Sequence, residues 1–149
     1  MRLEDELKTS FFDPIIKAQL NILFTGNWLN EQINQFLKPF NISDQQYNVL
    51  RILRGQKDQA VNLYSIQERM IHRMSNATRL VEKLRQKKLV ERAICNENRR
   101  KVEIRITEAG LKLLDEIEPL LRENHTILSN KITKEEAKQI SFLLEKLRQ

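Results

Sequence analysis

An amphipathic helix followed directly by two strand-like segments, all within residues 71–105, is the feature that most constrains the fold of this chain. Apolar residues recur at spacings of three, four and seven, which predicts one apolar stripe along a helix: Ala77, Leu80, Val81 and Leu84. The segments Leu89–Ile94 and Lys101–Ile106 then alternate or cluster apolar residues as strands do, and the residues between them have the polar composition of a hairpin tip. The sequence therefore predicts a helix that leads into a two-stranded ribbon.

The face of this helix opposite the apolar stripe is polar and basic. At about 100° per residue it contains Ser75, Arg79, Glu82 and Gln86, flanked by Asn76, Thr78 and Lys83. Amide, hydroxyl and guanidinium groups are the side-chain groups that contact base edges and phosphates. Such a helix beside a ribbon with arginines at its tip indicates a winged helix-turn-helix that binds DNA. The helix would lie in the major groove and the wing along the backbone toward the minor groove.

Positive charge is concentrated in the same part of the chain. Residues 69–105 contain 12 Lys and Arg against 4 Asp and Glu, a net charge of +8, whereas the whole chain carries +6. The rest of the chain is therefore slightly acidic. Lys and Arg on an isolated helix are usually a solvated face, but here the adjacent ribbon and its arginines favour a polyanion as the partner.

Helices are predicted for most of the remaining chain, which has only 3 Gly and 3 Pro. Asp13 and Pro14 form a helix start, and the apolar residues after them predict one long helix that ends near Pro39. Capping boxes at Ser43–Gln46 and Thr133–Glu136 predict the starts of two further helices. The terminal helices need more burial than a small DNA-binding lobe provides, and a second copy of the chain would supply it.

The predicted fold is therefore mainly α with a small β-wing, a winged helix-turn-helix flanked by N- and C-terminal dimerisation helices. Within the single chain of 149 residues, we assign residues 41–107 to the DNA-binding lobe. Residues 10–40 and 108–149 form the predicted helical dimerisation region.

Within the lobe, three short segments complete the predicted helix-turn-helix. Ala60–Leu63 is a candidate strand that adds to the wing ribbon, Ser65–Met70 the first helix, and Ile71–Arg73 the turn. Thr107 is the predicted N-cap of the helix that follows the ribbon.

The sequence lacks the motifs that several classes of function require. It has no Gly-rich phosphate loop, no Gly-x-Ser-x-Gly motif and no metal-ligand spacing around His72, His125 or Cys95, so we expect no enzyme, no metal site and no cofactor. The single cysteine excludes an intramolecular disulfide. There is no apolar run of about 18 residues and no signal-peptide core at the N-terminus, so we expect a cytoplasmic protein without a membrane span.

Three stretches of the sequence resemble the MarR family of bacterial transcriptional regulators. Leu37–Leu50 is similar to the family's entry into its second helix. Ser75–Leu84 followed by Leu89–Arg92 is similar to its recognition helix and first wing strand. Asn98–Gly110 is similar to its wing signature, which normally reads Asp-Arg-Arg and later Leu-Thr-x-x-Gly. Asn98 stands where the family usually has Asp, and asparagine brings no charge to orient a neighbouring arginine. We therefore expect either a looser wing tip or one that binds phosphate a little more readily.

The resemblance implies a two-lobed, triangular homodimer that binds a pseudo-palindromic operator on double-stranded DNA, often as a repressor released by a small ligand or an oxidant. We therefore interpret the chain as a sequence-specific DNA-binding regulator, a ligand-responsive repressor. The alternative is a winged-helix protein-interaction module that does not read DNA sequence. The polar face of Ser75–Gln86 disfavours this alternative, because a protein-docking helix would expose apolar residues there.

The candidate DNA contacts are Arg73, Ser75, Asn76, Thr78, Arg79, Lys83, Arg99, Arg100 and Lys101. Among them, Asn76 could pair with adenine, and Arg79 with guanine or a phosphate. Arg73 in the turn and Arg99 at the wing tip suit phosphate, where binding is driven by counterion release.

Two assignments among these candidate DNA contacts stay open, and so does the role of the neighbouring Glu82. Ser75 suits a helix N-cap as well as a DNA contact. Arg100 or Lys101 could instead pair with a glutamate of the ribbon. Glu82 could accept a hydrogen bond from cytosine, or hold Arg79 or Lys83 on the helix surface.

A small-molecule effector pocket is a further expectation. Phe24, Trp28, Tyr47 and Tyr64 could line it between the dimerisation helices and the lobe, as the family's ligand cleft implies, although aromatic residues at these spacings also suit a hydrophobic core. Cys95 lies beside the wing, where its oxidation could disturb DNA contact, or where it is simply a small residue that ends a strand. His72 is expected in the turn, where its titration could tune DNA affinity.

Overall fold

Helices and one small antiparallel sheet make up the fold. The computed structural model of the chain describes residues 2–11, 13–56, 59–94, 102–124 and 130–149. In chain order the elements are α1 (Leu3–Leu7), α2 (Pro14–Leu37), a 3-10 helix (Lys38–Phe40), α3 (Asp44–Arg54), β1 (Val61–Asn62), α4 (Leu63–Arg69), α5 (Ala77–Gln86), β2 (Val90–Ile94), β3 (Val102–Ile106), α6 (Glu108–Asn124) and α7 (Lys134–Leu147). The predicted mainly α fold with a small β element is confirmed.

Side-chain caps set the starts of the helices at the predicted places. The Asp13 carboxylate accepts a hydrogen bond from a backbone N–H in the first turn of α2 at 2.7 Å. At the start of α3, Ser43 Oγ accepts from the Gln46 N–H at 3.2 Å and Gln46 Oε1 accepts from the Ser43 N–H at 3.3 Å. Thr133 and Glu136 make the same reciprocal pair at the start of α7. Each cap satisfies backbone donors that have no partner within the helix.

The three strands form one antiparallel sheet in the order β1-β3-β2. Strands β2 and β3 pair along their full length, with Ile94 opposite Val102, and make the ribbon predicted for the wing. Strand β1 adds to the outer side of β3, with Val61 opposite Ile104, which confirms a third strand within residues 60–63.

The first helix of the helix-turn-helix begins earlier than predicted. It starts at Leu63 instead of Ser65, because the Asn62 side chain accepts a hydrogen bond from the Ser65 N–H at 2.8 Å and so caps α4 directly after β1. The cap also limits β1 to its two residues.

The hydrophobic core lies where α3, α4, α5, the sheet and α6 meet. Its most deeply buried side chains are Leu37, Val49, Leu50, Leu53, Ile66, Val81, Leu84, Ile104, Leu114 and Ile117. The predicted apolar stripe of α5 faces this core, since Ala77, Val81 and Leu84 are buried and Leu80 is partly buried against them. The polar side of α5 is therefore left for solvent or a partner.

The terminal helices contribute little to this core. Of the 24 residues of α2 only Leu37 is buried, and α7 contains no buried side chain. Their exposed large apolar residues are Ile15, Ile16, Ile22, Leu23, Phe24 and Ile33 on α2, and Ile140, Phe142, Leu143 and Leu147 on α7.

The start of α6 is in close contact with the turn between α5 and β2. The Thr107 N–H donates to the Leu89 carbonyl at 3.1 Å, and Thr107 Oγ1 donates to the Lys88 carbonyl at 2.8 Å. The same hydroxyl accepts from the Gly110 N–H at 3.1 Å, which confirms Thr107 as the helix cap. A Cβ atom on Gly110 would collide with the Leu89 carbonyl oxygen and would lie 2.7 Å from Ile106 Cγ1. Only glycine allows this approach without movement of the backbone.

We expect Gly110→Ala to lower the free energy of unfolding by about 1–3 kcal/mol, the usual cost of overpacking a close contact. The matched control is Gly55→Ala at the end of α3, where φ is −62° and a Cβ would lie at the ordinary contact distance of 3.4 Å from the Ile52 carbonyl oxygen. The control should gain up to about 1 kcal/mol, because alanine loses less conformational entropy on folding than glycine where the backbone angles suit both. Urea unfolding followed by circular dichroism measures both, and equal stability of the two variants would contradict the close contact.

Candidate nucleic-acid interface

The connection between α4 and α5 is attached to the start of α3 by two contacts. The Ile71 N–H donates to Asn48 Oδ1 at 3.0 Å. His72 Nε2 lies 3.3 Å from a carboxylate oxygen of Asp44, and the Asp44 side chain is mostly buried while His72 is about half exposed. The connection covers residues 70–76, so the turn predicted at Ile71–Arg73 is only its first part. These contacts hold the turn against the lobe.

Asn76, not Ser75, caps α5, the helix that the sequence predicts to be the recognition helix. Its Oδ1 accepts from the Arg79 N–H at 3.0 Å, whereas the Ser75 N–H donates to the His72 carbonyl at 3.0 Å, within the turn. The cap uses the Asn76 oxygen, and a bidentate pair with adenine uses both the oxygen and the nitrogen of an amide. The Asn76 side-chain nitrogen remains the group that can donate to a ligand.

The outward face of α5 carries the predicted side chains. Asn76, Thr78, Arg79, Lys83 and Gln86 are exposed, as is Arg73 in the turn, while Ser75 is half-buried. Among the described residues, no acidic side chain forms an ion pair with Arg73, Arg79 or Lys83. These three cations are therefore available to a polyanion.

Glu82 connects α5 to the first strand of the ribbon. It accepts hydrogen bonds from the Arg85 guanidinium at 2.8 and 3.1 Å, and a guanidinium nitrogen of Arg92 on β2 lies 3.6 Å away. The hydrogen bonds from Arg85 and the charge of Arg92 hold the pKa of Glu82 below its ordinary value. The alternative that Glu82 holds Arg79 or Lys83 on the helix surface was therefore wrong, because its partners are Arg85 and Arg92. The sequence carried no signal for the Arg92 contact, which depends on the position of β2.

Lys87 at the end of α5 lies against α3 instead of facing outward. Its ammonium donates to the Asn41 carbonyl and to Gln46 Oε1, the latter at 3.2 Å. Burial lowers the pKa of Lys87, and the nearby charge of Lys83 lowers it further. Lys87 thus joins the end of the recognition helix to the start of α3.

The wing residues Arg99, Arg100 and Lys101, together with Cys95 and Asn98, lie outside the residues that the structure describes. Their predicted roles stay predictions. The ribbon is described as far as Ile94 and again from Val102.

The four aromatic residues of the predicted effector pocket lie on three helices: Phe24 and Trp28 on α2, Tyr47 on α3 and Tyr64 on α4. Trp28 and Tyr47 are partly buried, and the Lys131 ammonium lies 5.2 Å from the centre of the Trp28 ring. Tyr64 is 69% exposed. In the described residues, no ring-to-ring contact joins any two of the four.

Two further features of the described residues bear on other functions. They contain no group of three or more His, Cys, Asp and Glu placed to hold a metal ion. None of their helices combines the length and the apolar character that crossing a membrane requires.

The chain is similar to a known family and to solved structures of its members. The MarR family model matches residues 42–102. The crystal structure of a MarR transcription factor from Planctomyces limnophilus is 31% identical, over 91% of this chain and 98% of that one, with a TM-score of 0.70. No match was found among curated protein sequences.

Two structures determined with DNA share the fold at lower identity. The S. aureus MepR–DNA complex is 21% identical over 91% of this chain and 96% of that one, with a TM-score of 0.75. A mutant of E. coli MarR complexed with operator DNA is 22% identical over 93% of this chain and 99% of that one, with a TM-score of 0.80.

The family-model match covers the described helix-turn-helix and the first ribbon strand β2, and it ends at Val102, the first residue of β3. The Planctomyces relative extends the similarity over nearly the whole of both chains. These similarities agree with the winged helix-turn-helix that the structure shows, and the chain belongs to the MarR family of transcription regulators.

Proposed function

We propose that this chain is a ligand-responsive repressor that binds a pseudo-palindromic operator as a homodimer. The observation that carries the proposal is the outward surface of α5 and its preceding turn. Arg73, Arg79 and Lys83 are exposed there without acidic partners among the described residues, next to the exposed amide of Asn76 and hydroxyl of Thr78. A fixed helix with this set of groups suits the major groove.

The individual contacts follow from the chemistry of each group. Arg79 and Lys83 would contact guanine or phosphate, Thr78 a base edge or a phosphate, and Arg73 a phosphate. Because the Asn76 oxygen caps α5, its amide nitrogen would donate to a base acceptor or a phosphate. Ser75, which precedes Asn76 in the turn, would contact the sugar-phosphate backbone of the DNA.

Basic residues in the wing would extend these contacts. Arg99, Arg100 and Lys101 are proposed to contact phosphates beyond the major groove, as the wing of a winged helix does. The structures of MepR with DNA and of the MarR mutant with operator DNA support the use of this fold on DNA.

The exposed apolar surfaces of the terminal helices support a homodimer. On α7, Ile140, Leu143 and Leu147 follow a helical spacing and are 46%, 61% and 66% exposed. Ile15, Ile22 and Ile33 share one side of α2 in the same way and are 70%, 39% and 40% exposed. Burying such stripes against a second copy removes apolar surface from water and brings two recognition helices into one assembly.

An effector site near α2 completes the proposal. Trp28 and Tyr47 are partly buried, and the exposed rings of Phe24 and Tyr64 offer further aromatic surface that a bound ligand would contact. A ligand bound between the terminal helices and the lobe would change the spacing of the two recognition helices and so release the operator.

The purified protein should bind the DNA upstream of its own coding sequence far more tightly than a scrambled duplex of equal length. Because the contacts are largely ionic, the affinity should fall steeply as salt rises. Fluorescence anisotropy over a salt series measures both, footprinting locates the site, and transcription in vitro from the bound promoter should decrease. Equally weak binding to both duplexes and to genomic fragments would favour the protein-interaction alternative.

Arg79→Ala and Arg99→Ala should each weaken operator binding and reduce the slope of log affinity against log salt by about 1 for each phosphate that the variant no longer neutralises. The dimer should stay intact, because neither residue lies on a terminal helix. Lys138→Ala on α7, an exposed cation away from α5 and the ribbon, is the control of equal charge change. If all three variants bind the operator equally weakly, charge alone and not the proposed surface governs binding.

Leu143→Glu should convert the dimer to a monomer, because it places a carboxylate in the apolar stripe of α7. Analytical ultracentrifugation measures the change, and circular dichroism should show an unchanged fold, since Leu143 is 61% exposed. Lys138→Glu, on the other side of the same helix, should leave the dimer in place. A dimeric Leu143→Glu protein would contradict this interface.

A further inference from the structure

Exposed apolar side chains occur in the helix-turn-helix as well as on the terminal helices. Tyr64, Ile71 and Met74 are 69%, 82% and 99% exposed. All other exposed large apolar residues of the described chain lie on α1, α2, α6 or α7. The dimer surfaces proposed on the terminal helices do not include these three side chains, and the proposed effector site uses only Tyr64 among them.

Met74 lies in the part of the turn that leads into α5. On one side, the Arg73 carbonyl accepts from the Gln67 side-chain amide at 3.3 Å. On the other, the Ser75 N–H donates to the His72 carbonyl at 3.0 Å, and Asn76 then caps the helix. The backbone on both sides of Met74 is thus held in place, while its side chain is almost fully in water.

The residues beside Met74 in the chain indicate which class of partner its side chain suits. Arg73 precedes it, and the exposed guanidinium of Arg79 follows in the first turn of α5. Met74 thus stands in the sequence between two exposed cations that have no acidic partner among the described residues, a pattern that fits a polyanion offering an isolated apolar group. In the major groove of DNA the 5-methyl group of thymine is that group.

We infer that Met74 is a specificity-determining residue that reads the 5-methyl group of one thymine in each half of the operator. The inference rests on the proposed function, since it assumes that α5 enters the major groove. The N-terminal end of a recognition helix reaches the base edges, and Met74 lies two residues before Asn76, the N-cap of α5. The unbranched thioether side chain of methionine adapts to a methyl group without a fixed rotamer.

Replacement of thymine by deoxyuridine tests the inference, because it removes only the methyl group and keeps every hydrogen-bonding atom of the base. Each thymine of the footprinted operator is replaced in turn, and the affinities of the native protein, Met74→Ala and Met74→Leu are measured by anisotropy. At one position in each half-site the native protein should lose about fourfold in affinity, the value of one buried methyl group.

The loss at that position should disappear in Met74→Ala and persist in Met74→Leu, which keeps an apolar side chain. Met74→Ala is expected to fold normally, because the side chain makes no buried contact. Ile71→Ala, which removes the other exposed aliphatic side chain of the turn, should retain the loss.

Two results would overturn the inference while leaving the proposed function intact. The first is specific operator binding in which every loss of affinity caused by deoxyuridine persists in Met74→Ala. The second is a loss of affinity at one thymine that disappears in Ile71→Ala but persists in Met74→Ala. Failure of the native protein to distinguish the operator from scrambled DNA would instead overturn the proposed function itself.

Discussion

The orientation of the recognition helix depends on backbone contacts at its C-terminal end. Lys88 adopts the left-handed conformation, with φ of 60°, and turns the chain out of α5. The carbonyls of Lys88 and Leu89 then accept from Thr107 at the start of α6, where Gly110 allows the backbones to touch. One of these donors is the Thr107 main-chain N–H, and the other is its hydroxyl, which also accepts a hydrogen bond from the Gly110 N–H. Together these contacts hold α5, the ribbon and α6 in one arrangement.

Side chains secure the same helix at both ends. Lys87 joins its end to the start of α3, and Glu82 joins its middle to Arg92 on β2. At the other end, Asn76 caps the helix and the Ile71 N–H attaches the preceding turn to α3. A helix supported in this way can present its polar face with little loss of conformational freedom on binding.

Local signals in the sequence predicted most of the elements, and contacts between elements account for what it missed. The capping boxes and the apolar stripe of α5 depend on neighbours within one helical turn, so their spacing alone identified them. The choice of Asn76 over Ser75 as cap was not predictable, because both residues suit that position. The partner of Glu82 and the inward position of Lys87 depend on β2 and α3, which are close only in the folded chain. The wing cations lie outside the described residues, so their roles still rest on sequence alone.

The cap at Asn76 limits how this protein can change its target DNA during evolution. Asn76 closes the helix and also belongs to the surface proposed for DNA, so it cannot be exchanged freely, since most replacements would loosen the helix before they altered base preference. Neighbouring exposed positions such as Thr78 carry no such structural duty. Divergence of operator preference among descendants of this chain should therefore accumulate at those neighbours, while position 76 stays within the small set of residues that can begin a helix.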